Sequence, residues 1–201
     1  MDGCLIDTEE AYAKIWNRVF KEYNVDIDME EIESWRGVGW EKIRNIIHEE
    51  TGDFDFTMEL RRIREVYFHE DLYAGKVSLK PYALDILNHL KGKKRMALGT
   101  STYRKKAGTI LEHFNLFQYF NTTVFGDDVQ FTKPDPAIYL EILKIENTNH
   151  TDAIIFEDSK SGIKAANGAK IDVVYVPDRI VLDTSDVDVK ATIHSFKEVL
   201  V

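Results

Sequence analysis

Four short stretches concentrate the side chains that could do chemistry: Asp2-Gly3, Thr100-Ser101-Thr102, Lys133-Pro134 and Glu157-Asp158-Ser159. Hydroxyl and ammonium donors suit a phosphoryl group, and clustered carboxylates suit Mg²⁺, a hard ion that prefers oxygen ligands. Together they describe phosphoryl transfer, which depends on positioning and charge stabilisation. Each stretch alone has a plainer reading. Thr100 and Ser101 could cap a helix, Lys133 could be a solvated loop lysine, and Glu157-Asp158 could be a helix entry favoured by the macrodipole. Adjacent acids closing an apolar strand are harder to dismiss, because they repel without a cation.

Elements must bring these stretches together. The second half of the chain alternates short apolar runs with helical periods. Strands are expected at 95–99, 122–125, 153–156 and 171–176, and helices at 105–114, 136–144 and 161–167. Asp135 is the expected N-cap of the second of these helices, with proline in its first turn. A last short strand at 191–194 should precede a C-terminal helix. This alternation predicts an α/β fold, a doubly wound parallel sheet wrapped by helices. Ligands of such sheets bind beyond the carboxyl ends of the strands, where three of the four stretches fall. Asp2-Gly3 would follow a strand if one lay upstream.

The first part differs. From 8 to about 75 only helical periodicity is found: Ala11, Ile15, Val19 and Tyr23 share one face, followed by helical patterns at 40–50 and 57–73. Breaks fall at 24–28, 36–39 and 51–53, and a further helix at 82–90 leads into the first visible strand. The expected division is an α/β core at 1–7 and 77–201 with an inserted all-helical block at 8–76.

Bulk properties narrow the function. The 201 residues, 44% hydrophobic, can bury a sizeable core. A net charge of −9 without a basic stripe argues against nucleic acid. The single cysteine, Cys4, excludes an internal disulfide and fits a reducing compartment. No secretory signal is visible, and no apolar run approaches the roughly 20 residues that span a bilayer. A monomer in the cytoplasm, with no membrane partner, is the expected setting.

The stretches MDGCLIDTEE, LGTST, KPDPAIY and FEDSKSGIKAA, in this order and spacing, resemble the haloacid dehalogenase (HAD) superfamily, in its branch of β-phosphoglucomutase-like phosphatases with a helical cap. The resemblance covers essentially the whole chain. It implies an Mg²⁺-dependent phosphatase of small phosphorylated metabolites, sugar phosphates first, working through an aspartyl-phosphate. In the family's Asp-x-Asp-Gly motif the second aspartate, here Asp2, is the general acid and base, with Gly3 beside it. Thr100 corresponds to the hydroxyl that bonds the phosphoryl group, with Ser101 adjacent, and Lys133 to the lysine that neutralises nucleophile and phosphate. Glu157, Asp158 and the Asp2 carbonyl correspond to the Mg²⁺ ligands. Met1 occupies the x position, so the nucleophile would precede this sequence, at the end of a strand lying between those at 96–100 and 153–157. A shortened reading frame, or a start assigned at an internal methionine, is the expected explanation. The chain as given should then be nearly inactive.

By the same resemblance, 8–76 is the cap, and its Ser34-Trp35-Arg36-Gly37-Val38-Gly39-Trp40 turn corresponds to a loop that contacts substrate through Arg36 and Gly37. The family's β-phosphoglucomutase carries a cap arginine where this chain has Trp40, and a histidine where it has Tyr12. Both replacements favour hydrolysis over mutase chemistry, although Tyr12 and Trp40 read equally as core aromatics. β-Phosphoglucomutase-type transfer and a non-catalytic phospho-ligand-binding protein stay open as alternatives. A receiver domain would not carry a long helical insertion at its start. Gly37-Val38-Gly39 lacks the third glycine of a dinucleotide fingerprint, and the six histidines show no metal-ligand spacing.

Overall fold

The computed structural model describes residues 1–35, 38–178 and 181–200. The chain divides into two compact units, Met1–Ile6 with Leu79–Val201, and Asp7–Ser78. Asp7, Val77 and Ser78, expected with the core, belong to the helical unit, where the Asp7 N–H donates to the Ser78 carbonyl at 2.9 Å.

The helical unit holds α1 (Thr8–Tyr23), α2 (Met29–Ser34), α3 (Trp40–Thr51) and α4 (Phe54–Tyr73). The apolar face of α1 buries Ala11, Ile15, Trp16, Val19 and Phe20, and α1 packs on α4, which buries Leu60, Phe68 and Leu72. Burying a side chain of this size contributes about 1.5–3 kcal/mol each before ordering costs. Tyr23 departs from the expected face and is exposed, because the helix ends there and Asn24 turns the backbone left-handed (φ 54°). Helix α4 starts three residues earlier than its periodicity predicts, because the Asp53 carboxylate accepts from the Phe56 N–H at 3.0 Å and caps it. Asp28 caps the short α2, which the apolar pattern does not resolve, in the same way at 2.9 Å.

The other unit contains α5 (Ala83–Leu90), β1 (Ala97–Gly99), α6 (Arg104–His113), β2 (Thr122–Val124), α7 (Ala137–Ile145), β3 (Ile154–Glu157), α8 (Lys160–Gly168), β4 (Asp172–Tyr175) and β5 (Ala191–Thr192). Every ladder is parallel. Strand β1 pairs with β2, and β3, β4 and β5 form a second sheet in that order. Among the described residues no ladder joins β1 to β3. The two sheets share one hydrophobic core, in which Val124 of β2 and Val173 and Tyr175 of β4 meet Ile138 and Tyr139 of α7 and Ile163 and Ala166 of α8. This is the expected α/β class. Asp135 receives the Ala137 N–H at 2.9 Å, so it caps α7 even though the helix proper begins one residue later than expected. The expected C-terminal helix is a single 3₁₀ turn, Phe196–Val199, capped by Ser195 and anchored by buried Phe196 against Phe156, with ring centroids 5.7 Å apart. Among the described residues no helix is long and apolar enough to cross a membrane.

Candidate active site

Parallel pairing brings the ends of β1 and β2 level, and those of β3 and β4, so the residues that follow them gather at one edge. Thr100 directly follows β1. It extends the ladder through its N–H to the Val124 carbonyl (3.1 Å) and is 4% exposed, while Ser101 beside it is exposed. The Thr100 hydroxyl oxygen accepts from the Thr102 N–H at 3.1 Å, which leaves its own proton to donate elsewhere. The Thr102 hydroxyl in turn donates to Asp2 Oδ2 at 2.8 Å, across a sequence separation of 100 residues.

Lys133 reaches back to the same edge. Its ammonium donates to the carbonyl of Gly99, the last residue of β1, at 3.1 Å, and to Glu157. Glu157 ends β3 and is 5% exposed. Its Oε1 accepts from Lys133 and from the Tyr139 hydroxyl at 3.1 Å. Its Oε2 accepts from the N–H groups of Asp158 (2.8 Å) and Ser159 (2.9 Å) and from the Ser159 hydroxyl (3.0 Å). Asp158 lies instead against the first loop. Gly3 has φ +68°, and a Cβ there would lie 2.1 Å from Asp158 Oδ2, so only glycine lets that carboxylate approach. Asp2, Thr102, Thr100, Lys133, Glu157 and Asp158 thus form one connected constellation.

The two adjacent acids have opposite electrostatics. Burial penalises the Glu157 charge, yet the Lys133 ammonium and the backbone donors outweigh it and hold its pKa down at about 2. Burial likewise disfavours the Lys133 charge, and Glu157 more than restores it, so the lysine stays protonated. The Asp158 carboxyl is pushed well above the usual carboxylate range, first by burial and then by the Glu157 charge. The Lys133 ammonium opposes this only partly. Burial pushes the Cys4 thiol up to about 12, so it is neutral and unreactive.

This geometry revises one expectation. The five hydrogen bonds on Glu157 saturate its two oxygens, which leaves Asp158 as the carboxylate suited to a metal and makes Glu157 the anchor for Lys133. Among the described residues no group of three or more His, Cys, Asp or Glu side chains forms a metal cage. The Asp158 carboxylate and the Asp2 carbonyl, which accepts the Cys4 N–H at 2.8 Å, are hard oxygens. Oxygen donors of this kind suit Mg²⁺.

The other expected substrate residues belong to the helical unit. Tyr12 stacks on Phe68 at 4.8 Å, and Trp40 lies parallel to Trp16 at 6.4 Å, with the Arg61 guanidinium 4.2 Å from its centroid. Both serve as packing aromatics, and both also line a cavity of about 180 Å³ with Trp16, Trp35, Ile43 and Arg64. Arg36 and Gly37 lie outside the described residues. Sequence reasoning placed Thr102 and Ser159 in the chemical stretches without giving either a role, and it did not single out Tyr139. Thr102 belongs to the same hydroxyl run as Thr100, but nothing local indicates that its partner lies 100 residues away.

A family model described as haloacid dehalogenase-like hydrolase matches residues 1–176. The chain belongs to that family. Several of its curated relatives are named as phosphatases. A phosphorylated carbohydrates phosphatase of Thermotoga maritima is 32% identical, over 87% of this chain and 81% of its own. The fructose-1-phosphate phosphatase of Escherichia coli is 29% identical, over 88% and 93% respectively. In three dimensions the chain is similar to a β-phosphoglucomutase-like protein of T. maritima, with TM-score 0.82 and 29% identity, covering 96% of this chain and 91% of that one.

Proposed function

We propose that this HAD-family enzyme is an Mg²⁺-dependent phosphatase of small phosphorylated carbohydrates. The observation that carries the reading is the convergence of Lys133, Thr100 and Asp2 beside Asp158, which assembles a cation, a hydroxyl donor, a proton carrier and a metal ligand at one edge. The named activities of the curated relatives give the substrate class. Asp158 and the Asp2 carbonyl would hold Mg²⁺, which when bound neutralises phosphate charge.

The chain's own groups do the rest. Thr100 donates its hydroxyl to a phosphoryl oxygen, and Lys133, held protonated by Glu157, offsets the charge that develops there. Asp2 protonates the leaving oxygen and then takes a proton from the attacking water. The phosphoryl group passes to an aspartate two residues ahead of Asp2. Tyr12 and Trp40 shape substrate preference in the helical unit and favour hydrolysis over mutase chemistry. The partner is a small metabolite, handled by a monomer in the cytoplasm.

The test is steady-state phosphate release from a panel of sugar phosphates with a polypeptide that carries the motif aspartate ahead of Asp2, and with its Lys133→Ala variant. Release that falls by at least about a hundredfold in the variant supports the reading. No release from any phosphomonoester would leave a phospho-ligand-binding protein instead. Efficient conversion of β-glucose 1-phosphate to glucose 6-phosphate would establish the mutase.

A further inference from the structure

We propose that Thr102 is a positioning residue for Asp2, fixing which carboxyl oxygen carries the proton that the leaving group receives. This rests on the phosphatase reading above. The contact is specific: the Thr102 hydroxyl donates to Asp2 Oδ2 at 2.8 Å in a partly buried setting. Thr102 is itself held at both ends of its backbone. Its N–H donates to the Thr100 hydroxyl at 3.1 Å, and its carbonyl accepts from the Gly126 N–H at 3.1 Å. A Cβ on Gly126 would lie 2.1 Å from the Ser101 carbonyl oxygen, so the loop after β2 presses closely on this run. The donor is therefore fixed before substrate arrives, and Asp2 has one preferred orientation.

The chemical consequence follows from the hydroxyl's polarity. An oxygen that accepts a hydrogen bond is the better carbonyl oxygen of a protonated carboxyl group. The proton is thereby directed to Oδ1, the oxygen that Thr102 does not occupy. As the ester bond to phosphorus breaks, that proton passes from Oδ1 to the leaving oxygen. The phosphorus bonds to the acceptor aspartate, and Asp2 is left as the carboxylate that later accepts a proton from water. Thr102 supplies no proton of its own. Thr102 thus links the two groups, its N–H bonding the Thr100 hydroxyl and its own hydroxyl bonding Asp2.

This role predicts a dependence on the leaving group. An alkoxide leaving a sugar phosphate needs the proton, whereas p-nitrophenolate departs without one. The experiment compares kcat/KM for glycerol phosphate and p-nitrophenyl phosphate in a polypeptide that carries the motif aspartate ahead of Asp2, and in its Thr102→Val and Thr102→Ser variants. Because the ratio of the two values comes from one preparation, it is independent of any misfolded fraction. Thr102→Val should lower the alkyl-to-aryl ratio about tenfold or more, within the range that general acid catalysis supplies. Thr102→Ser, which keeps the hydroxyl, should hold it within about threefold. An unchanged ratio in Thr102→Val, or an equal fall in both variants, overturns the role of Thr102. Failure of the unsubstituted enzyme to hydrolyse either ester overturns the phosphatase reading instead.

Discussion

Gly162→Ala should destabilise the α/β unit although it improves helix propensity. Gly162 lies in the first turn of α8, where its N–H donates to the capping Ser159 hydroxyl at 3.0 Å. Helix propensity alone predicts a gain of about 1 kcal/mol for alanine. A Cβ at this position, however, would lie 2.0 Å from both Cδ and Oε1 of Glu157 and 2.5 Å from Oε2. That carboxylate cannot move aside cheaply, because Lys133, Tyr139 and the Asp158–Ser159 turn all hold it. Overpacking costs about 1–3 kcal/mol, and each hydrogen bond to a charged group that is lost adds about 1.5–3 kcal/mol. Losing one such bond gives a net loss of about 3 kcal/mol after the propensity gain, or a Tm lowered by roughly 10 °C. Gly108→Ala is the internal control. Gly108 lies inside α6, and a Cβ there would meet nothing within 4 Å, so the propensity gain should appear unopposed. Thermal and urea denaturation of both variants would decide it. A Gly162→Ala protein as stable as Gly108→Ala would refute the claim that glycine makes room for the Glu157 anchor.

Two further outcomes test other parts of the structure. Calorimetric titration with Mg²⁺ should show affinity at least about tenfold weaker in Asp158→Ala than in the unsubstituted chain, and equal affinity would remove Asp158 from the metal site. Asp128→Asn tests a charge pair away from that site: burial pushes the Asp128 pKa up, but Arg104 and the Phe125 N–H together hold it below the ordinary carboxylate value. A depressed pKa stabilises the fold above the unfolded value of about 3.9 and ceases to do so as pH falls through the folded value. The modest stability gap between the two proteins at pH 7 should therefore close on acidification below about pH 4, and a gap constant with pH would contradict this.

The α/β class was legible because its signal is long and redundant. Most strands after residue 95 are short apolar runs, and the helices between them keep a clear apolar period. Boundaries were less legible where a single side chain decides them. Asp53 extends α4 through one carboxylate, and Asn24 ends α1 by adopting a left-handed backbone. The C-terminal segment failed for a different reason. Its apolar residues describe a helix as readily as a 3₁₀ turn, and burial of Phe196 against Phe156 decides the matter through a contact 40 residues away in sequence. Thr102 is the same kind of case within the site, since its partner is set by the fold and not by its neighbours in the chain.

The Glu157-Asp158 pair shows where sequence reasoning about the site stops. Adjacent acids at a strand end imply a need for positive charge, and that inference holds. It cannot assign the charge, because successive residues at a strand end point in opposite directions. Glu157 turns inward, where Lys133 and backbone N–H groups satisfy it and keep it ionised at a pKa of about 2. Asp158 turns toward Gly3 and meets no such donor set, so its pKa rises beside a neighbour that is already charged. Lys133, hydrogen-bonded to Glu157 and to the Gly99 carbonyl, opposes that rise only partly. On the phosphatase reading proposed above, a divalent cation at Asp158 and the Asp2 carbonyl would supply further positive charge. The lysine and that cation would then answer one electrostatic demand from opposite sides of the same dipeptide, with a phosphate bound between them.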